Sequence, residues 1–302
     1  MQCKLFFAAL VALAANPAFS HAPLAMSAAV KTRTVYVTVN DSNGAPVTDL
    51  TPGDFAVKEG GKDREVLTAE LAGTPLQIAI IVDDNGTGLF RSSVAVFIQK
   101  LLGHGEFAIS TVTGQTMRIV DFTTSTGALT NAIGRLGARP GTPDGGQLLE
   151  GIAEAARAFT KREARRPVIV VLTVGGEEHS PAQAHEVLNY LRDSGASLHV
   201  ISVANSSLRS TIVPTNPGQM LDTGINLSEV LGDGPKQSGG MREEIVATTG
   251  GVAGLQRLAT ELLHQYVLTY SLPDGVKPNE KLSVSVKRRG LMVRAPTRIP
   301  EK

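Results

Sequence analysis

One stretch constrains this chain more than any other. Leu76-Gln77-Ile78-Ala79-Ile80-Ile81-Val82 is nearly all apolar and rich in β-branched residues, and it stops at Asp83-Asp84-Asn85-Gly86-Thr87. A continuous apolar run of this length reads as a strand buried on both faces, the pattern of a parallel sheet covered by helices. Ligands of open α/β sheets bind at the carboxyl ends of central strands. Asp83, Asp84, Asn85 and Thr87 are therefore expected at the rim of such a sheet. Their hard oxygen atoms suit Mg2+, Mn2+ or Ca2+.

Two further apolar runs, Val168 to Leu172 and Leu198 to Val203, have the same buried-strand character. Helical spacing lies between them and the first run. Ser92 or Ser93 is expected to cap a helix running to Leu102, with Gly103 as its stop. Phe107 to Val112 and Met117 to Phe122 alternate like a hairpin about Gly114, and Ser125 opens a short helix. Leu148, Leu149, Ile152, Ala155, Ala156 and Phe159 recur on one helical face. Ser180-Pro181-Ala182-Gln183 reads as a cap, a first-turn proline and a capping-box glutamine. Strand, helix and strand in this order imply right-handed crossovers. From Asn205 to Gly240 the composition shifts to Ser, Gly, Pro and Thr, which reads as a long loop with a helical turn near Leu227 to Leu231. A last helix is expected from Gly254 to Gln265.

The ends of the chain are different. Val35, Val37 and Val39 alternate with polar positions, Asp41-Ser42-Asn43-Gly44 is a turn signal, and short strands follow up to Leu71. Strand patterns return at Val267 to Ser271, Leu282 to Lys287 and Leu291 to Arg294. Neither end alone has enough surface for a good core, so the two are expected to pair. The α/β region, 75–265, is then an insertion into a β-sandwich split between 31–72 and 266–298.

Lys+Arg 29 against Asp+Glu 28 leaves no electrostatic case for nucleic acid as a partner. Lys4, the apolar run Leu5 to Ala15 and small residues around Ala18, Ser20 and Ala22 resemble a secretory signal occupying 1–22. Export to the periplasm or beyond the cell is the expectation, with no transmembrane segment left after cleavage. The single cysteine, Cys3, lies within that segment, so the mature chain would have no disulfide, thiolate nucleophile or cysteine zinc site. The histidines His104, His179, His185, His199 and His264 lack metal spacing, and His199 is read as a core residue. The basic runs Lys161-Arg162 with Arg165-Arg166, and Lys287-Arg288-Arg289, are read as solvated faces.

The loop after the first run, the later threonine and the order of elements together resemble the von Willebrand factor A family. That resemblance implies a Rossmann-like fold carrying a metal-ion-dependent adhesion site. Such a site has a D-x-S-x-S loop after the first strand, a threonine in a later loop and an aspartate after a following strand. Asp83 matches the first aspartate, Asn85 and Thr87 replace the serines, and Gly141-Thr142 matches the threonine loop, with Asp144-Gly145-Gly146 behind it. Leu172-Thr173-Val174-Gly175-Gly176-Glu177 matches the segment that carries the last aspartate, but Val174 stands in its place. The flanks, with Gly44, Pro46, Leu50, Asp54 and Phe55 before and Gln265 to Tyr270 after, are similar to an exported bacterial subgroup often called VWFA-related.

The resemblance implies metal ligands at Asp83, Asn85, Thr87 and Thr142, with Mg2+ or Mn2+ as the ion and a site weakened or lost through Val174. It implies a partner-binding rim that includes Asp84, Asp144 and Glu177, with Glu177 or Glu178 placed to compensate for the missing carboxylate. The expected function is a non-enzymatic, exported module for adhesion or assembly whose ligand is a protein. A metal-free alternative is an interaction domain of an envelope complex, in which Asp83 and Asp84 cap nearby backbone N–H groups and Thr142 caps the following helix. A third reading rests on a partial likeness to haloacid dehalogenase-like phosphatases. There Asp83 would be the nucleophile, with Gly86 and Thr87 in place but Asn85 where the general acid belongs, Thr173 as a mimic of the second motif, Gly232-Asp233-Gly234 as a damaged acidic motif and Lys236 as a stray lysine.

Overall fold

The computed structural model describes residues 31–138, 145–204 and 217–301. Its centre is a six-stranded sheet in the order β10-β9-β8-β5-β6-β7. The strands are β5 (Leu76–Asp83), β6 (Gly105–Thr113), β7 (Gln115–Thr123), β8 (Pro167–Thr173), β9 (Ser197–Val203) and β10 (Arg242–Ile245). All neighbouring pairs are parallel except β6 with β7, the hairpin expected about Gly114. The chain leaves β5 toward β6 and β7, then returns on the other side through β8, β9 and β10. The direction of winding reverses between β5 and β8, so the crevice at their carboxyl ends is where such folds bind ligands.

Alternation along β5 sends its side chains to two cores. Leu76, Ile78, Ile80 and Val82 pack with the helices α1 (Arg91–Leu101), α2 (Thr126–Arg135) and α6 (Thr248–Leu263). Ala79 and Ile81 pack with α3 (Leu148–Lys161), α4 (Ala184–Ser194) and α5 (Pro217–Ser238). Burial on both faces is the reason these strands read as unbroken apolar runs.

The chain ends form a second body. β1 (Lys31–Asn40), β4 (Val66–Leu71), β11 (Tyr266–Leu272) and β13 (Met292–Arg294) make an antiparallel sheet in the order β13-β1-β11-β4. β2 (Phe55–Glu59), β3 (Lys62–Arg64) and β12 (Leu282–Val286) make a three-stranded one, β12-β2-β3. Val35, Val37, Phe55, Val57, Tyr266, Leu268 and Tyr270 fill the shared core. Phe55 and Tyr266 meet edge to face, with ring centroids 5.4 Å apart. Strands from before β5 therefore pair with strands from after α6, as the alternation at the two ends implied.

Several local expectations need correction. α1 begins at Arg91, so Ser92 and Ser93 lie inside the helix and Phe90 precedes it without a side-chain cap. The stretch read as a loop contains α5, a helix of 22 residues. Its glycines and Pro235 concealed it, but Val230 and Leu231 anchor it in the core, and packing overrides weak propensity. β10 was not anticipated because Arg242-Glu243-Glu244 is charged. α6 starts at Thr248, earlier than Gly254. Arg166 is not on a solvated face: it is 4% exposed and lies 5.2 Å from the Tyr36 ring. Arg162 is exposed but pairs with Glu106 and lies 4.3 Å from the Phe122 ring. The expected secretory signal, Thr142 and Asp144 lie outside the described residues. Among the described residues no helix is long and apolar enough to cross a membrane.

Candidate functional site

The carboxyl ends of β5 and β8 meet in register, Asp83 opposite Thr173. Asp83 belongs to the α3 side of the sheet, one residue after Val82 on the other side. There its carboxylate accepts a hydrogen bond of 2.6 Å from the Thr173 hydroxyl, and the same hydroxyl oxygen accepts from Gly175 N at 2.9 Å. Removal of the carboxyl from water pushes its pKa up to about 6, against the opposing pull of the Thr173 hydroxyl. The nearby charges of Glu178 and Asp84 push it the same way.

A third segment closes the site. Gly146 forms a parallel bridge with Glu178, and its N–H donates to Glu177 O at 3.0 Å. A Cβ built on Gly146 would lie 3.8 Å from Asp83 Oδ1 and only 2.6 Å from Val112 Cγ1. Gly145 has φ +86, and a Cβ there would stand 2.5 Å from Glu177 O. Glycine at both positions is what lets the threonine-loop segment return to the edge of β5. Residues 83, 146 and 173–178 thus converge at one edge of the sheet, while Thr142, which the sequence reading places there, lies outside the described residues.

The remaining expected site residues are placed as follows. Asn85 is exposed, with φ 52, a left-handed conformation that asparagine tolerates. Thr87 is exposed too, and its hydroxyl donates to Asp84 O at 2.8 Å, which closes the loop on itself. Asp84 corrects the expectation of an exposed rim residue. It is 1% exposed, and neither carboxylate oxygen has a hydrogen-bond partner among the described residues. Among the described residues neither Asp83 nor Asp84 accepts a hydrogen bond from a backbone N–H through its side chain. The Glu177 side chain is largely buried, 3.4 Å from His179 Nε2. Val174 lies in the core with Val82, so it is Thr173 that stands beside Asp83.

Glu178 and Ser180 have roles that sequence reasoning missed. The buried Glu178 carboxylate accepts from Leu148 N at 3.1 Å, Leu149 N at 3.4 Å and Ser180 N at 2.9 Å. Ser180 Oγ accepts from Glu150 N at 2.9 Å. Together they cap the N-terminus of α3 from a distant part of the chain, satisfying donors that a helix leaves open. α4 is capped by Gln183 with Glu186 instead of by Ser180. Glu178 is thereby committed to a helix end, although burial still raises its pKa.

These groups test the fit of a divalent ion. The described residues offer two desolvated carboxylates, Asp83 and Asp84, with hydroxyls from Thr87 and Thr173. Among them no group of three or more His, Cys, Asp or Glu could hold a metal. The described donors do not make a charged cage of the kind that binds divalent cations tightly. The phosphatase constellation is not assembled either. Asp233 and Lys236 pair with each other on α5 beside Gly234. A Cβ at Gly234 would meet Leu198 at the opposite end of the sheet from Asp83.

No protein-family model matches the sequence, and no curated protein matches it. Solved structures similar to this one include "von Willebrand factor type A from Catenulispora acidiphila", 11% identical, covering 88% of this chain and 73% of that one, TM-score 0.47. The vWF domain of the type V pili tip protein Mfa5 from Porphyromonas gingivalis is 10% identical, over 62% of this chain and 95% of that one, TM-score 0.45. The pilus adhesin SpaC from Lactobacillus rhamnosus GG is 10% identical, over 88% of this chain and 49% of that one, TM-score 0.47. The chain's own topology, a six-stranded sheet wound both ways from β5 with its acidic loop at the β5–β8 crevice, is the Rossmann-like arrangement that the motif resemblance to the von Willebrand factor A family implies.

Proposed function

We propose that this chain is an exported, non-enzymatic binding module whose rim at the carboxyl ends of β5 and β8 engages a protein partner without a tightly held metal ion. One observation carries the reading. Asp83, Thr173 and Gly146, far apart in sequence, meet at the switch point of the sheet. Asn85 and Thr87 stand exposed at the lip of that crevice. The motif order ties this lip to the adhesion face implied by the resemblance. The described donor set supports the absence of a tightly held ion, with Val174 turned into the core and Glu178 occupied by α3.

Two comparisons test the reading. Affinity capture from an envelope fraction, run with Mg2+ and again with a chelator, should recover the same partner in both. Asn85→Trp, which blocks the exposed lip, should abolish capture. Equal capture by Asn85→Trp would overturn the reading. Capture that vanishes in the chelator would restore the metal-assisted alternative. Sequencing of the native N-terminus tests export, which predicts that the mature chain does not begin at Met1.

A further inference from the structure

At the amino end of the same sheet lies a cavity of about 360 Å³, between β1, the end of α4, the end of α5 and the chain's last residues. Its volume falls in the range of small-molecule sites. Leu188 and Ile299 contribute apolar wall, and Arg33, Arg165, Arg192 and Arg298 are the four charged residues of the lining. No Asp or Glu is among the lining residues, so the carboxylates that pair with Arg33, Arg192 and Arg298 are not part of the lining. Glu59 holds Arg33 at 2.7 Å, and Glu280 is shared by Arg192, at 3.0 Å, and Arg298.

Glu59, Glu280 and Asp193, the last 2.9 Å from Arg192, balance three of the four arginines, and among these groups the charge of Arg165 is left over. Arg165 makes no ion pair among the described residues, and Arg298 donates to Glu280 through one nitrogen, so N–H donors remain for a ligand. A planar fork of donors over an apolar wall is the arrangement that recognises an anionic head on an apolar body.

We propose that this cavity binds a small organic anion, a carboxylate or phosphate head carrying an apolar chain or ring. Its walls come from both bodies of the molecule. β1 and Ile299 belong to the sandwich, and α4 and α5 to the α/β domain, so the ligand would bridge them. The site is separate from the Asp83 rim, which occupies the other end of the strands.

Calorimetric titration of the full chain with octanoate and with octyl phosphate tests this, using octyltrimethylammonium and octanol as cationic and neutral controls. One-to-one binding of either anion supports the proposal, and their ratio identifies the head. Octanol should bind about tenfold more weakly, and the cation should not bind. Arg165→Glu reverses an exposed charge that no ion pair uses, so the fold should survive. It should weaken the anion about tenfold, while Asp83→Ala leaves affinity unchanged. No binding of either anion at millimolar concentration would overturn the proposal, as would equal binding of the cation or indifference to Arg165→Glu in a protein with parental circular dichroism.

Discussion

At the carboxyl end of the central sheet, Asp83, Asp84 and Glu178 crowd into one loop cluster; at the amino end, Arg166 and the four cavity arginines gather. The difference follows the helices. Right-handed crossovers point helix N-termini toward the carboxyl ends of the strands and helix C-termini toward the amino ends. Glu178 sits on the N-terminus of α3. Arg166 donates to Leu262 O in the last turn of α6, and Arg192 lies in the last turn of α4. Each sign of charge stands where the helix dipole favours it. The two ends differ in how fully their charges are satisfied. Arg166 also donates to Ala72 O, Thr74 O and Gln265 Oε1, leaving only its Nε without a partner, whereas among the described residues Asp84 has no side-chain partner and Asp83 has one hydroxyl. The amino end is built to hold the two bodies together, and the described residues of the carboxyl end keep unspent polar capacity.

This contrast can be broken by substitution at either end. The largest effect is expected from Arg166→Ala, which strands acceptors on the linker before β5 and on α6. Chemical denaturation should show a loss of about 4 kcal/mol, and a loss below about 1 kcal/mol would remove Arg166 from its bridging role. Glu178→Ala should cost about 3 kcal/mol by uncapping α3, with Glu178→Gln milder because an amide oxygen still accepts.

Asp83→Asn should act in the opposite direction. The folded-state pKa of Asp83 is raised to about 6 from 3.8, so the protonated form contributes stability that is lost as pH rises from about 4 to about 6. The neutral asparagine escapes that loss. The variant should be more stable than the parent by about 2 kcal/mol at pH 7.5, with the gain fading toward pH 4. A gain that does not depend on pH would contradict a desolvated carboxylate. The smallest effect belongs to Thr87→Ala. It removes one bond to Asp84 O from an exposed loop and should cost about 0.5 kcal/mol.

How much of this was legible in the sequence depended on whether local pattern or tertiary contact decided the outcome. β5, β8 and β9 announced themselves because burial on both faces leaves an unbroken apolar run. The split sandwich was readable from alternation at Val35 to Val39 and Val267 to Ser271. Motif order places Thr142 beside Asp83; Thr142 lies outside the described residues, and it is the Gly146 that follows it whose approach to Asp83 is described. α5 was not, because its glycines and proline speak for a loop while its burial is decided by neighbours. Ser180 was assigned to the wrong helix, since a cap supplied from a distant segment has no local signature. The burial of Asp84 and the commitment of Glu178 to α3 were equally out of reach. The cavity arginines come from four separate segments, and no spacing along the chain connects them.

The central claim is that the carboxyl rim binds its partner without a firmly held ion, and titration of the full chain with Mn2+ by calorimetry tests it most directly. The account predicts no site tighter than about 1 mM and no difference between the parent and Asp83→Ala. A site near about 10 μM that disappears in Asp83→Ala would contradict it.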